Sequence, residues 1–343
     1  MTLPRWLRIR PSFLVGFALF VALFAWLVWW FALRTPGQSF EGPLPQITEA
    51  QETIEATLRR HVKVFGGDIG ARSTQSYAGL ERAVEHLAGE LEGFGYSVDR
   101  QPYRSGSHEV TNLVVEKRGK ARPDSIVVVG AHYDGVGDMP AANDNGSGVA
   151  ALLVLAERFR GLEVDETLRF VLFANEEPPH FQEETMGSLV YARACREKDE
   201  DIRMMWSLET LGYYTDEPDS QDFPSHLLEL AFPSTGNFVA FVSMMSDAET
   251  MRHVLGEFRE HCKFPSEGAA LPDFLPQAGW SDHWSFNQVG YPGVMITDTA
   301  LFRYEHYHTT ADLPDQLNYP AFARVVEGLV DVLASEVGAV SPR

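Results

Sequence analysis

Three short apolar runs, Ser125–Gly130, Leu168–Phe173 and Ile202–Leu208, most restrict the folds open to this chain. Each reads as a strand covered on both faces, where polar alternation is lost. Helical spacing separates them. Leu80, Val84, Leu87 and Leu91 mark a helix over Leu80–Phe94 that stops at Gly95, and Val149–Phe159 and Ser188–Lys198 read the same way. Ile47 to about Val64 also looks helical. Further strands are expected at Phe238–Ser243 and Gly293–Thr297, further helices at Ala248–His261 and Tyr319–Val337, and a hairpin from Ser97–Tyr103 and Glu109–Val115. Alternation of this kind predicts an α/β fold whose mixed, mostly parallel central sheet carries helices on both faces. Gly212–Asn237 and the Pro/Phe-rich Phe264–Gln277 are expected as long connections, which often shape a cleft.

The chain opens differently. Phe13 to Leu33 carries no charge and almost nothing polar, and about 20 such residues suffice to cross a bilayer as a helix. Arg5, Arg8 and Arg10 precede the run and Arg34 alone follows closely, a bias that puts the N-terminus in the cytoplasm. Trp26, Trp29 and Trp30 cluster at the far end, as in an interfacial aromatic belt. The rival reading is a cleaved signal peptide, whose apolar region runs about 7–15 residues and ends at small residues. Phe31-Ala32-Leu33-Arg34 is a poor cleavage site. The expected organisation is therefore a cytoplasmic tip and single-pass transmembrane signal anchor over residues 1–34, a linker over 35–45, and one domain over 46–343. That domain would lie outside the cytoplasm, in a periplasmic or extracellular space.

Beyond residue 34 the chain holds 24 Lys/Arg against 48 Asp/Glu. So negative a surface repels phosphate backbones and excludes nucleic acid as a partner. Cys195 and Cys262 are too few for a disulfide framework or a thiolate metal site. They could pair with each other or stand as separate buried thiols.

The chemistry lies at the ends of the runs. His132 in His132-Tyr133-Asp134 follows the first run, so its ring projects from the carboxyl edge of the sheet, where open α/β sheets gather their sites. Asp134 can hydrogen-bond the ring nitrogen turned away from a metal. Asp144 sits in Asn143-Asp144-Asn145-Gly146, a loop opening the next helix, where one carboxylate can bridge two cations. Glu176 and Glu177 end the second run. Adjacent carboxylates after Leu172-Phe173-Ala174 are costly unless something positive compensates them. Their side chains point apart, so one can bind a metal while the other faces a bound water. Glu209 ends the third run, and His308 lies in Tyr307-His308-Thr309 before the last helix. His306 is its competitor; Tyr307 favours His308, because a phenol there can donate to a developing oxyanion. Imidazole and carboxylate are the ligand types zinc accepts.

In this order the motifs resemble peptidase family M28, the co-catalytic zinc aminopeptidases similar to bacterial leucyl aminopeptidases. The likeness runs from Phe65-Gly66-Gly67-Asp68-Ile69-Gly70-Ala71-Arg72 through Thr111-Asn112-Leu113-Val114 to the final helix. It implies a zinc aminopeptidase (phosphorylase/hydrolase-like) fold and two Zn2+ per chain. One zinc would take His132 and Glu209, the other Glu177 and His308, with Asp144 bridging and Glu176 as general base. The family usually has Asp where Glu209 stands, and the added methylene bears on the geometry of that site. Trp280-Ser281-Asp282-His283-Trp284-Ser285-Phe286 resembles the family's Ser-Asp-His-X-X-Phe segment, which gives Asp282 and His283 supporting roles.

The reaction so implied removes N-terminal residues from peptides with a free N-terminus. A metal-bridging water is the nucleophile, Glu176 takes its proton, and Tyr307 stabilises the oxyanion. Other readings are a single-zinc glutaminyl cyclase-like enzyme, a carboxypeptidase relative with Arg303 as the cation for a substrate carboxylate, and a receptor-like ectodomain without catalysis.

Overall fold

A computed structural model describes residues 11–339. Its strands are β1 (Asp99–Ser105), β2 (His108–Lys117), β3 (Arg122–His132), β4 (Glu166–Phe173), β5 (Asp201–Glu209), β6 (Val239–Met244), β7 (Ser266–Leu271) and β8 (Gly293–Thr297). They form one sheet in the order β1-β2-β4-β3-β5-β8-β6-β7. β4, β3, β5 and β8 run parallel to one another, β1 and β2 form an antiparallel hairpin, and β2 is antiparallel to β4. β6 returns antiparallel to β8, and β7 follows β6 in parallel. The architecture is thus a mixed α/β sheet.

Strand alternation divides the core. Val127, Val129 and Ala131 of β3 face a large layer built with α2 (Glu49–Lys63), α3 (Tyr77–Gly93), α4 (Gly146–Phe159), α7 (Ala248–His261) and α9 (Tyr319–Val337). Ile126 and Val128 face the other way, onto Tyr191, Ala192 and Cys195 of α5 (Gly187–Glu197) and Phe286 of α8 (His283–Gln288). Cover on both faces explains why the central runs lack polar alternation. Helix α4 starts against the end of β5: a Cβ on Gly148 would fall 2.2 Å from Asn145 Oδ1 and 2.4 Å from the Leu208 carbonyl oxygen. That closeness brings the Asp144 loop beside the sheet edge.

Two expectations change. The first is the membrane span over Phe13–Leu33. Helix α1 covers Pro11–Val28, 18 residues, and gives way to a π-helical turn at Trp29–Leu33. Among the described residues no helix is long and apolar enough to cross a membrane. Arg5, Arg8 and Arg10, on which the orientation rested, lie outside the described residues. Past α1 the chain is docked on the domain. Arg252 of α7 donates to the carbonyls of Phe31 and Arg34 at 2.6 and 2.9 Å, and Leu33 packs near Ala269 and Leu271 of β7.

The second is Phe264–Gln277, which is no simple connection, because it contains β7. Ser-Glu-Gly-Ala-Ala-Leu is too small and too polar to announce a strand. It becomes one by pairing with β6, and Gly268 permits that: a Cβ there would meet Leu255 Cδ2 at 2.5 Å. The short α6 (His226–Glu229) interrupts the connection after β5. Cys195 and Cys262 are both free thiols.

Candidate metal centre

The strand ends deliver the ligand-type side chains to one place. His132 is the last residue of β3, Glu209 the last of β5, and Glu176 and Glu177 follow β4 by a short turn. Asp144 precedes α4, and His308 comes from the loop before α9. His132, Asp144 and Glu209 form one group whose ligand atoms all lie within 4.8 Å of one another; Asp144, Glu177 and His308 form a second. Asp144 belongs to both. Its Oδ1 lies 3.5 Å from His132 Nε2, and its Oδ2 lies 2.8 Å from His308 Nε2. Glu209 Oε2 stands 3.2 Å from His132 Nε2, and Glu177 Oε1 stands 3.3 Å from His308 Nε2. The longer side chain at 209 therefore still reaches the group. Glu176 Oε2 is 3.9 Å from His132 Nε2 and faces the same cavity. His306 turns away, its Nε2 lying 3.7 Å from Glu305 Oε1.

All four carboxylates are buried. Burial and then its neighbours Glu177 and Glu209 push Glu176 well above the carboxylate range, despite His132. Burial and Asp144 push Glu177 up to about 8. Burial also raises Glu209. Asp144 goes the other way: burial opposes its charge, yet the facing imidazoles of His132 and His308 hold it below the usual range. For the imidazoles burial alone would lower the pKa. Glu209 and Glu176 nevertheless hold His132 well above the ordinary value, and Asp144 and Glu177 bring His308 up to about 10. Four acids against two imidazoles leave a surplus of negative charge in a dry place, which a divalent cation would offset.

Both nitrogens of His132, Asp144 Oδ1 and Glu177 Oε1 are buried without a hydrogen-bond partner. Buried polar atoms are nearly always paired, so His132 Nε2, Asp144 Oδ1 and Glu177 Oε1 fit metal ligands, while His132 Nδ1 faces Asp134. The mixed nitrogen and oxygen set suits zinc.

Comparison with known proteins agrees with the chemistry. The pattern of peptidase family M28 matches residues 112–333. The chain belongs to this family. Membership makes it, by class, a peptidase. The uncharacterised protein YfbL of Escherichia coli is 32% identical over 287 residues, 80% of this chain and 86% of YfbL. A probable leucine aminopeptidase 1 of Trichophyton verrucosum is 24% identical, over 84% of this chain and 75% of that protein. The fold matches a zinc aminopeptidase of Bacillus subtilis with a TM-score of 0.66 at 14% identity, over 82% of this chain and 95% of the other. It also matches Porphyromonas gingivalis glutaminyl cyclase with a TM-score of 0.62 at 18% identity, over 84% and 100%.

Within this M28 chain the backbone around the ligands is held by further buried acids. Asp134 lies 3.5 Å from His132 Nδ1 and accepts the backbone N–H groups of Glu176 and Glu177 at 3.0 and 3.1 Å. Asp312 does the same for Asn143 and Asp144 at 2.8 and 3.1 Å, and also accepts the Tyr304 hydroxyl. Sequence reasoning passed over Asp312, although it stands four residues after His308. Arg72, fully buried, donates to the carbonyls of Tyr133, Phe65, Gly70, Pro140 and Ala141, tying the His132 and Asp144 loops together. Asn112 accepts the Ala174 N–H just before the glutamates.

The Trp280–Phe286 segment touches the cluster through Ser281, whose hydroxyl donates to Glu209 Oε2 at 2.7 Å. Asp282 and His283 do not line the cavity. Both oxygens of Asp282 are buried without partners, and burial pushes it up to about 7. His283 Nε2 lies 2.7 Å from the Ala278 carbonyl oxygen. Tyr307 lines the cavity with its ring stacked on His308 at 3.9 Å. Burial and then Asp144 and Glu177 raise its phenol, so it stays a donor. Arg303 lies outside the cavity lining, buried and bonded to Gln221 Oε1 and the Phe238 carbonyl.

Metal must displace protons here. Its neighbours bring His308 up to about 10, and burial with Asp144 brings Glu177 up to about 8, so each holds its proton at pH 7. Zinc loading of chelator-stripped protein at pH 7 is expected to release about two or more protons, and affinity should fall as pH is lowered. Calorimetry in buffers of different ionisation enthalpy reads the number. Replacing Asp312 by Asn removes charge from the acceptor of two backbone N–H groups and should weaken zinc binding about 10–100-fold, measured by competition with a chromogenic chelator.

Proposed function

We propose that the protein is a two-zinc exopeptidase that hydrolyses N-terminal residues from peptides, with Glu176 as general base. The observation that carries this reading is the double ligand set, His132–Asp144–Glu209 and Asp144–Glu177–His308, which shares one carboxylate and opens into a cavity of about 380 Å³. Asp144, Glu177, Glu209, His132 and His308 would hold the ions. When bound, such a pair acidifies water to a pKa near about 7 and polarises a carbonyl.

The chain's own groups supply the rest. Glu176 is buried, lines the cavity and shares no hydrogen bond with Glu177, so its carboxylate is free to accept a proton from water and return it to the leaving amine. The Tyr307 hydroxyl can donate to the oxyanion as the carbonyl becomes tetrahedral. Asp134 and Asp312 fix the peptides that carry Glu176, Glu177 and Asp144, so the acceptors are oriented before substrate arrives. A glutaminyl cyclase-like reading requires one zinc, and two complete ligand groups favour the pair. A carboxypeptidase needs a cation facing the substrate, and Arg303 is turned to backbone carbonyls instead.

We further infer that the N-terminal apolar helix keeps the enzyme at a membrane. Phe13, Leu19 and Phe20 of α1 are each about two-thirds exposed, and the helix carries no charge. So much bare apolar surface is costly in water and suits a lipid environment.

Glu176→Gln should lower kcat for aminoacyl-coumarin amides by about 10²–10⁴-fold while elemental analysis still finds two zinc ions per chain. Unchanged turnover would assign the base elsewhere; one zinc with pyroglutamate formed from an N-terminal Gln peptide would favour the cyclase. For the membrane, the full chain should sediment with vesicles and a chain starting at residue 40 should stay in the supernatant. Equal partition of the two would remove the lipid role from α1.

A further inference from the structure

The cavity continues well past the metal-ligating cluster, and the sheet is its floor. Register lays out a row across four strands. Glu209 of β5 pairs with Thr297 of β8, Thr297 with Ala240 of β6, and Ala240 with Glu267 of β7. All four line the cavity. A parallel row of Met295, Val242 and Ala269 lines it too. Adjacent strands lie about 4.8 Å apart, so Glu267 stands three spacings, roughly 14 Å, from Glu209. Between those ends the walls are apolar, with Phe238, Trp280 and Phe302 among them.

Beyond the cluster, Glu267 is the one ionisable side chain lining the cavity among the described residues. Its only nearby cation is Arg259, whose Nη2 is 3.8 Å away, too far for a hydrogen bond. The Arg259 N–H groups are directed instead at Ser266, Thr35 and Pro36. Burial raises the Glu267 carboxyl in spite of Arg259 and a hydrogen bond from Ser39. A partly buried carboxylate whose one cation stands beyond hydrogen-bond reach and whose named hydrogen-bond partner is a serine hydroxyl, set at the end of an apolar trough, favours a cation arriving from the cavity side.

Resting on the peptidase reading above, we propose that Glu267 selects the substrate's N-terminal side chain: lysine or arginine, its stem on the apolar floor and its cation at Glu267. The dimensions agree. With the scissile carbonyl over the metal-ligating cluster, an extended lysine carries its ammonium roughly 6–7 Å from its own Cα, at bonds of about 1.5 Å. A charged contact of about 2.8 Å and the length of the Glu267 side chain close the remaining span.

The test compares zinc-loaded full-length protein with its Glu267→Gln variant on the coumarin amides of lysine and norleucine, which share an alkyl stem. Wild type should favour lysine. The variant should lose at least tenfold in kcat/KM for lysine, mostly through KM, and stay within twofold for norleucine, which also shows that it is folded. Equal effects on both substrates, or none on lysine, would overturn the proposal. Binding of lysine and norleucine hydroxamates, followed by calorimetry, decides the same question without turnover. A wild type that cleaves neither amide therefore refutes the peptidase reading alone. Loss of lysine hydroxamate affinity in the variant still supports the role of Glu267, and unchanged affinity removes it.

Discussion

Four carboxylates and two imidazoles share a buried pocket at the carboxyl edge of the sheet, and their mutual repulsion is what the surrounding structure has to contain. Two like charges about 4 Å apart repel by roughly 4 kcal/mol at an effective dielectric near 20. Glu176, Glu177, Glu209 and Asp144 cannot all be ionised on two histidines alone, which is why three of the four are pushed upward. Divalent cations would remove the conflict. The acids that do not ligate solve it differently. Asp134 and Asp312 each accept two backbone N–H groups, so their charge is met by fixed dipoles.

Holding ligands against that repulsion strains the chain locally. Asn175, Thr210 and His308 all have positive φ, at 59°, 42° and 56°. A β-branched residue there is an outlier, and such positions cost about 1–3 kcal/mol each unless their surroundings fix them. The surroundings do. The Thr210 N–H donates to Asn145 Oδ1 while its hydroxyl meets Thr297 at 3.0 Å, and Asn145 also bonds the Leu208 carbonyl. Asn145 thus couples the loop that carries Asp144 to the turn that follows Glu209. The strain lies where chain direction must change abruptly so that the end of a strand can present a ligand.

What could be read from sequence follows from how local each signal is. β3, β4 and β5 were visible because cover on both faces imposes a continuous apolar run, and the ligand-type residues were visible because they end those runs. β7 was invisible: its strand character comes from β6, and its small residues are chosen by the closeness of Leu255 and Met251. The apolar run over Phe13–Leu33 showed its composition but not the π-helical turn that ends α1 at Val28. Asp312, Arg72 and Ser281 share one reason for being missed. Each acts on backbone or side chains distant in sequence, and nothing in its own neighbourhood marks it. In the same segment as Asp282 and His283, it is Ser281 that contacts Glu209 directly.

Topology also separates the ligand-type cluster from the rest of the cavity floor. Parallel β3, β4, β5 and β8 bring their carboxyl ends to one edge, which suffices to assemble the ligands. Were β6 parallel as well, its carboxyl end too would come to that edge. Because β6 runs the other way, it places Ala240 near its own start opposite Thr297, and β7 in register places Glu267 next. The antiparallel pair thus prolongs the cavity floor sideways from the last ligand, in steps set by the strand spacing. Side chains on alternate positions of β6, β7 and β8 face this floor, while Phe241, Ala270 and Ile296 enter the core beneath. Substitutions along the floor can therefore alter what the trough accepts without disturbing Asp144, Glu177 or Glu209, whose positions depend on the other half of the sheet.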